Sequence, residues 1–84
     1  MGARRPNYEP TTFELEILSF HRDFTERYGQ APGLRTIARH FNVYPNAIRY
    51  HLKNLIEKGH IRARPERPVT GRFVLSAKGR SVAG

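Results

Sequence analysis

Residues 45–62, PNAIRYHLKNLIEKGHIR, decide how this chain folds. Ile48, Leu52, Leu55 and Ile56 recur at i, i+4, i+7 and i+8, the spacing of a helix face turned into a core. Asn46, Arg49, Tyr50, Lys53 and Glu57 fall on the opposite side. Pro45 suits the first turn of such a helix, because its missing N–H would have been unpaired there anyway. Gly59 stops it. A helix that starts sharply at a proline and lines up amide, guanidinium, phenol and ammonium groups needs a partner able to use them.

Working outward, Leu34, Ile37, Ala38 and Phe41 make a shorter helical stripe whose outer face carries Arg35 and Arg39 one turn apart. Between the two helices the chain meets the requirements of a helix-turn-helix. Ala38 is small where steeply crossing backbones approach. Asn42 is the residue type, glycine aside, that best tolerates a positive φ. Val43 and Ile48 are the apolar residues that lock the crossing angle. His51 stands where an apolar residue is usual, and reads as a hydrogen-bonded packing histidine on the border of the core face.

Upstream, residues 11–14 spell T-x-x-E, a capping box for a first helix. Phe13, Ile17, Phe20, Phe24 and Tyr28 follow as an amphipathic stripe, read as core and not as a base-stacking platform, and Gly29 ends it. Downstream of Gly59 the period drops to about 2. HIRAR at 60–64 and RFVL at 72–75 read as strands, joined by the turn chemistry of PERPVTG at 65–71. The expected architecture is mainly α with a small β-hairpin: a winged helix-turn-helix of three helices plus a two-stranded wing. It spans residues 11–76, between a flexible basic arm at 1–10 and a tail at 77–84 expected to fray.

The net charge of +8 is unevenly spread. Residues 1–34 hold four arginines against five acids, whereas residues 35–84 hold eleven Lys and Arg against only Glu57 and Glu66. Such a distribution points to a polyanion; the bland alternative is solubility alone. The absence of cysteine excludes disulfides and thiolate sites and is compatible with a reducing compartment. No apolar run approaches the roughly 18–20 residues of a membrane span, and no signal peptide is recognisable. The expectation is a cytoplasmic, nucleoid-associated protein without a membrane partner.

In a helix-turn-helix the second helix enters the DNA major groove with its N-terminal residues at the base edges. Arg49 can pair with guanine O6 and N7, and Asn46 with adenine N6 and N7. Tyr50 can meet a thymine methyl or bond a phosphate. Lys53, farther along, suits phosphate, and Arg35 and Arg39 with the start of their own helix suit the flanking backbone. Arg67, between two prolines, and Arg72, beside Gly71, are placed to touch phosphates or a narrow minor groove. His21, Arg22 and Asp23 spell a kinase catalytic tripeptide without its glycine-rich loop. The four histidines, 21, 40, 51 and 60, lack ligand spacing. No nucleophile–base set is present, so neither an enzyme nor a metal or other cofactor is expected.

From residue 11 to residue 75 the chain resembles the N-terminal DNA-binding domain of the LexA repressor family, a winged helix-turn-helix. The resemblance is carried by RDFTERYGQAP, IARHF, PNAIRYHLKNLIEKGHI and RFVL. It implies base-reading positions at Tyr44, Asn46, Ala47, Arg49 and Tyr50, and matches His51 to a family histidine. Arg49 and Tyr50 replace residues that tend to be acidic in the family, so a different operator is implied. A chain ending at Gly84 leaves no room for the family's serine–lysine peptidase, so self-cleavage is not expected and the usual dimer contacts are missing. The expected function is binding of double-stranded DNA, as a sequence-selective transcription regulator that dimerises on its site or works with a protein partner. The alternatives are a low-specificity replication, maintenance or chromatin factor, and a winged-helix protein-interaction module.

Overall fold

The computed structural model describes residues 10–66 and 73–83. The first helix, α1 (Thr12–Tyr28), begins at the expected capping box. The Thr11 hydroxyl accepts from the Glu14 amide and the Glu14 carboxylate accepts from the Thr11 amide, both at 3.1 Å. Gly29 closes the helix in the left-handed conformation, φ 76°. The second helix, α2 (Leu34–Phe41), ends at Asn42 with φ 58° and ψ 47°, the only non-glycine residue with positive φ among those described. There the Val43 amide reaches back to the Ala38 carbonyl at 3.0 Å, the long bond of a Schellman turn. The third helix, α3 (Pro45–Glu57), has its proline in the first turn and a second Schellman closure, His60 amide to Leu55 carbonyl, over Gly59.

The wing is a pair of three-residue strands, β1 (Ile61–Ala63) and β2 (Phe73–Leu75), antiparallel with Ile61 opposite Leu75 and Ala63 opposite Phe73. Ile17 and Leu18 of α1, Ile37 and Ala38 of α2, and Ile48, Leu52 and Leu55 of α3 are buried in one core, which Ile61 and Leu75 close from the wing side. Full burial of each large aliphatic side chain stabilises by roughly 1.5–3 kcal/mol. This core therefore holds the three helices in a fixed relation and leaves the outer face of α3 to solvent.

Two expectations are corrected. The aromatic stripe of α1 is not uniformly core. The buried face is Glu14, Ile17, Leu18 and His21, while Phe13, Phe20 and Phe24 lie along its shoulder and Tyr28 is 58% exposed. The rings pack instead at the edge of the core, with one another and with His40 and Phe41 of α2. Secondly, the tail expected to fray forms a helix, α4 (Ala77–Ala83). Ser76 starts it by accepting from the Gly79 amide, and its far end is fastened to α1, where Ser19 and Arg22 both donate to the Ala83 carbonyl at 3.1 and 2.8 Å. Small residues replace the large apolar ones of an ordinary stripe: Gly79 and Ala83, one turn apart, are the buried positions.

Gly79 is required by proximity. A Cβ built there would lie 2.0 Å from the backbone oxygen of His60, which cannot move without unseating the root of the wing. Gly79→Ala should lower stability by about 1–3 kcal/mol, as overpacking does. Chemical denaturation checks this, and Ala77→Gly, at an exposed position of the same helix, provides the control for helix propensity.

Candidate nucleic-acid interface

The lead end of α3 presents its polar groups outward. Tyr44, the residue before the helix, is held extended at φ −71° and ψ 147°, as a residue preceding proline prefers. Its side chain is 85% exposed. Asn46, Ala47, Arg49, Tyr50 and Lys53 are all exposed, whereas Ile48 and Leu52, on the opposite side of the same turns, are buried. Arg35 and Arg39 are exposed on α2. The fold thus brings the expected base-reading and helix-borne phosphate residues to the α2–α3 surface. Arg67 and Arg72 lie outside the described residues.

Charge pairing sharpens this picture. Among the described residues, Arg22, Arg64 and Lys58 are bonded to acids. Arg35, Arg39, Arg49 and Lys53 are in no such pair, and neither is Arg62, exposed on β1, which the sequence reading did not single out. Arg27 of α1 and Arg80 of α4 are likewise in no acid pair, but most of these exposed cations sit on the helix-turn-helix and the wing. Of the exposed acids, Glu16, Asp23 and Glu26 are on α1, Glu57 is the last residue of α3, and Glu66 follows β1.

Behind the interface lies a group that sequence reasoning missed. Glu14, 1% exposed at its side chain, is both the acid of the α1 capping box and the acceptor for a row of donors on α3. Nδ1 of His51 donates to its Oε2 at 2.9 Å, Asn54 donates to the same oxygen at 3.4 Å, and Nζ of Lys58 donates to Oε1 at 2.7 Å. Residues 51, 54 and 58 follow the i, i+3, i+7 rule. A polar row between the buried and exposed faces of α3 was the available signal, but nothing in the sequence named its partner. Burial alone would raise the Glu14 carboxyl; hydrogen bonds from His51, Lys58 and the Thr11 amide, with the Lys58 charge, overcome it and bring the pKa from 4.5 to about 2.

His21 does for the wing what Glu14 does for α3. It is 2% exposed, and its Nε2 donates to the Phe73 carbonyl of β2 at 2.7 Å. Burial lowers its pKa against the pull of its hydrogen bonds, so the ring is neutral at pH 7. Among the described residues no three His, Asp or Glu side chains gather into a metal-binding group, and no helix is long and apolar enough to cross a membrane.

Comparison with known proteins agrees with this geometry. The LexA DNA binding domain model matches residues 10–70. The chain belongs to the LexA DNA-binding domain family. Similar relatives include the LexA repressor of Thermotoga neapolitana, 34% identical over 70 residues, which cover 83% of this chain and 36% of that protein. The LexA repressor of Thermotoga maritima is 34% identical over 58 residues, 69% of this chain and 29% of that protein. That of Thermosipho melanesiensis is 30% identical over 56 residues, 67% and 28% respectively. The chain therefore spans about a third of the length of the curated relatives it matches. In this LexA-family chain the fold is a winged helix in which a fourth helix, α4, follows β2.

A carboxylate whose folded pKa is depressed stabilises the fold above its unfolded pKa, and that contribution disappears as pH falls through the folded value. Glu14 should accordingly contribute on the order of 3 kcal/mol that is lost between about pH 5 and pH 2. Glu14→Gln should flatten that part of the stability–pH curve relative to wild type, measured by urea denaturation at successive pH values.

Proposed function

We propose that this LexA-type domain reads double-stranded DNA with sequence preference and acts as a transcription regulator. In this reading Asn46, Ala47, Arg49 and Tyr50, with Tyr44 ahead of them, face base edges in the major groove. Arg35, Arg39 and Lys53 hold phosphates, and Arg67 and Arg72 extend the contact from the wing. The observation that carries the proposal is the set of exposed cations without acidic partners on α2, α3 and β1, beside a recognition helix whose opposite face is locked into the core. Phosphate contacts supply affinity irrespective of sequence, and the first two turns of α3 supply selection.

One domain of this size covers one half-site, so selective binding at low concentration calls for a second copy on a two-fold site or a protein partner. No chemical step is assigned to the domain. Its proposed role is recognition of DNA; the relatives it matches are named LexA repressors.

The test is selection from a randomised duplex pool, followed by affinities for the enriched and scrambled sites across a salt series. A site bound about a thousandfold tighter than scrambled DNA establishes selective recognition. Steep salt dependence without enrichment supports a low-specificity DNA-binding factor instead, and absence of duplex binding supports a protein-interaction module. On an enriched site, Arg49→Ala should cost about 1–3 kcal/mol and relax preference at one base pair. Lys53→Ala should weaken all sequences alike and reduce the salt slope by about one. An equal loss on every sequence for Arg49→Ala, or a loss confined to the enriched site for Lys53→Ala, would reverse those assignments.

A further inference from the structure

The outer face of α3 carries a large aromatic ring that the fold does not need. Tyr50 is 63% exposed, and its hydroxyl has no hydrogen-bond partner among the described residues. The ring is nevertheless not loose. Its edge packs against His51, with centroids 5.3 Å apart and planes at 74°. His51 packs in turn against Phe13 at 4.9 Å and 77°, and is tethered to the buried Glu14 carboxylate at 2.9 Å. Three rings in edge-to-face contact thus run from the shoulder of α1 to the recognition surface, with the middle one anchored. Aromatic pairs of this geometry stabilise beyond their buried area, so the contact favours the orientation of Tyr50 that meets His51.

We propose that Tyr50 is a specificity-determining residue that reads the C5-methyl group of a thymine, and that His51 is its positioning residue. The proposal rests on the DNA-reading assignment above and resolves the two roles open to Tyr50 from sequence. Tyr50 lies one turn from Asn46 on the same face of α3, in the part of the helix that enters the groove, whereas the phosphate cations Arg35, Arg39 and Lys53 flank that part. In the major groove, thymine is the one base that offers an apolar group, and apolar side chains contact it. A tyrosine ring edge, exposed in the free protein, loses water against such a methyl without any polar group going unpaired. Asn46 and Tyr50 are about 6 Å apart along the helix axis, and base pairs stack at about 3.4 Å per step. The thymine therefore falls within one or two base pairs of the adenine assigned to Asn46.

The experiment uses the duplex enriched by selection, with each thymine of a half-site replaced in turn by deoxyuridine. This substitution deletes one methyl and leaves base pairing unchanged. One position should weaken binding by about fourfold, the equivalent of one methylene-sized apolar contact. Tyr50→Ala should bind thymine and deoxyuridine duplexes equally at that position, and Tyr50→Phe should keep the thymine-to-deoxyuridine ratio there. His51→Gln, which keeps a donor for Glu14 but removes the ring, should bring the thymine-to-deoxyuridine ratio toward one while affinity for scrambled duplex is retained. A ratio unchanged in His51→Gln overturns the positioning role. A uniform loss by Tyr50→Phe on all duplexes overturns the methyl assignment in favour of a phosphate bond. An enriched site insensitive to every deoxyuridine overturns the proposal alone, whereas no enriched site overturns the selective-DNA reading beneath it.

Discussion

The orientation of the recognition helix depends on one buried carboxylate. Glu14 is too enclosed to be solvated, so its charge persists only because a backbone amide and three side chains of α3 donate to it. Each donor is fixed in turn by the bond it makes. The carboxylate therefore ties the first turn of α1 to the middle and end of α3 at chosen points, whereas apolar packing alone would let the helices slide or rotate by small amounts. A helix that reads bases has to keep its azimuth to within a few degrees. An ionic tether with three attachment points supplies that restraint along the flank of α3, between its buried and exposed faces.

The same division of labour runs through the rest of the molecule. Acids are concentrated in the N-terminal third, where Glu14 is internal and Glu16, Asp23 and Glu26 face water on α1. Most cations come later in the chain, and two of these that are bonded to acids, Lys58 just after α3 and Arg64 just after β1, lie away from the lead turns of α3. The wing is fastened at its root: Ser76 bonds the carbonyls of Gly59 and His60, and His21 bonds Phe73. Arg62, exposed on β1 and in no acid pair, remains free to meet a negatively charged surface.

What the sequence disclosed follows from the range of the forces involved. The capping box at Thr11, the left-handed turns at Gly29, Asn42 and Gly59, and the proline start of α3 are decided within four or five residues, and each is found as read. The core faces of α2 and α3 were equally legible, because helical periodicity needs only the helix itself. What stayed hidden depends on partners far along the chain. The residues of α4 carry no apolar stripe, and only the carbonyl of His60 explains why Gly79 has to be glycine. Tyr28 fitted its stripe, but its ring meets Phe24 and is otherwise largely exposed. The surface positions of Tyr44, Asn46, Ala47, Arg49 and Tyr50 were legible because the core side of α3 was; the arrangement that steadies Tyr50 was not, since its parts come from residues 13, 14 and 51.

The attachment of α4 to α1 has a consequence for the order of events during synthesis. The bond from Ser19 to Ala83 spans 64 residues and that from Arg22 to Ala83 spans 61, so α1 is completed by a helix made much later, α4. At about 5–20 residues per second, several seconds separate the two at the ribosome. During that interval α1 can form its cap and internal hydrogen bonds, but it lacks the contacts along its rear flank. The domain therefore reaches its final form only after residue 83 has cleared the exit tunnel, and a nascent chain stalled before that point would display α1 with one side bare.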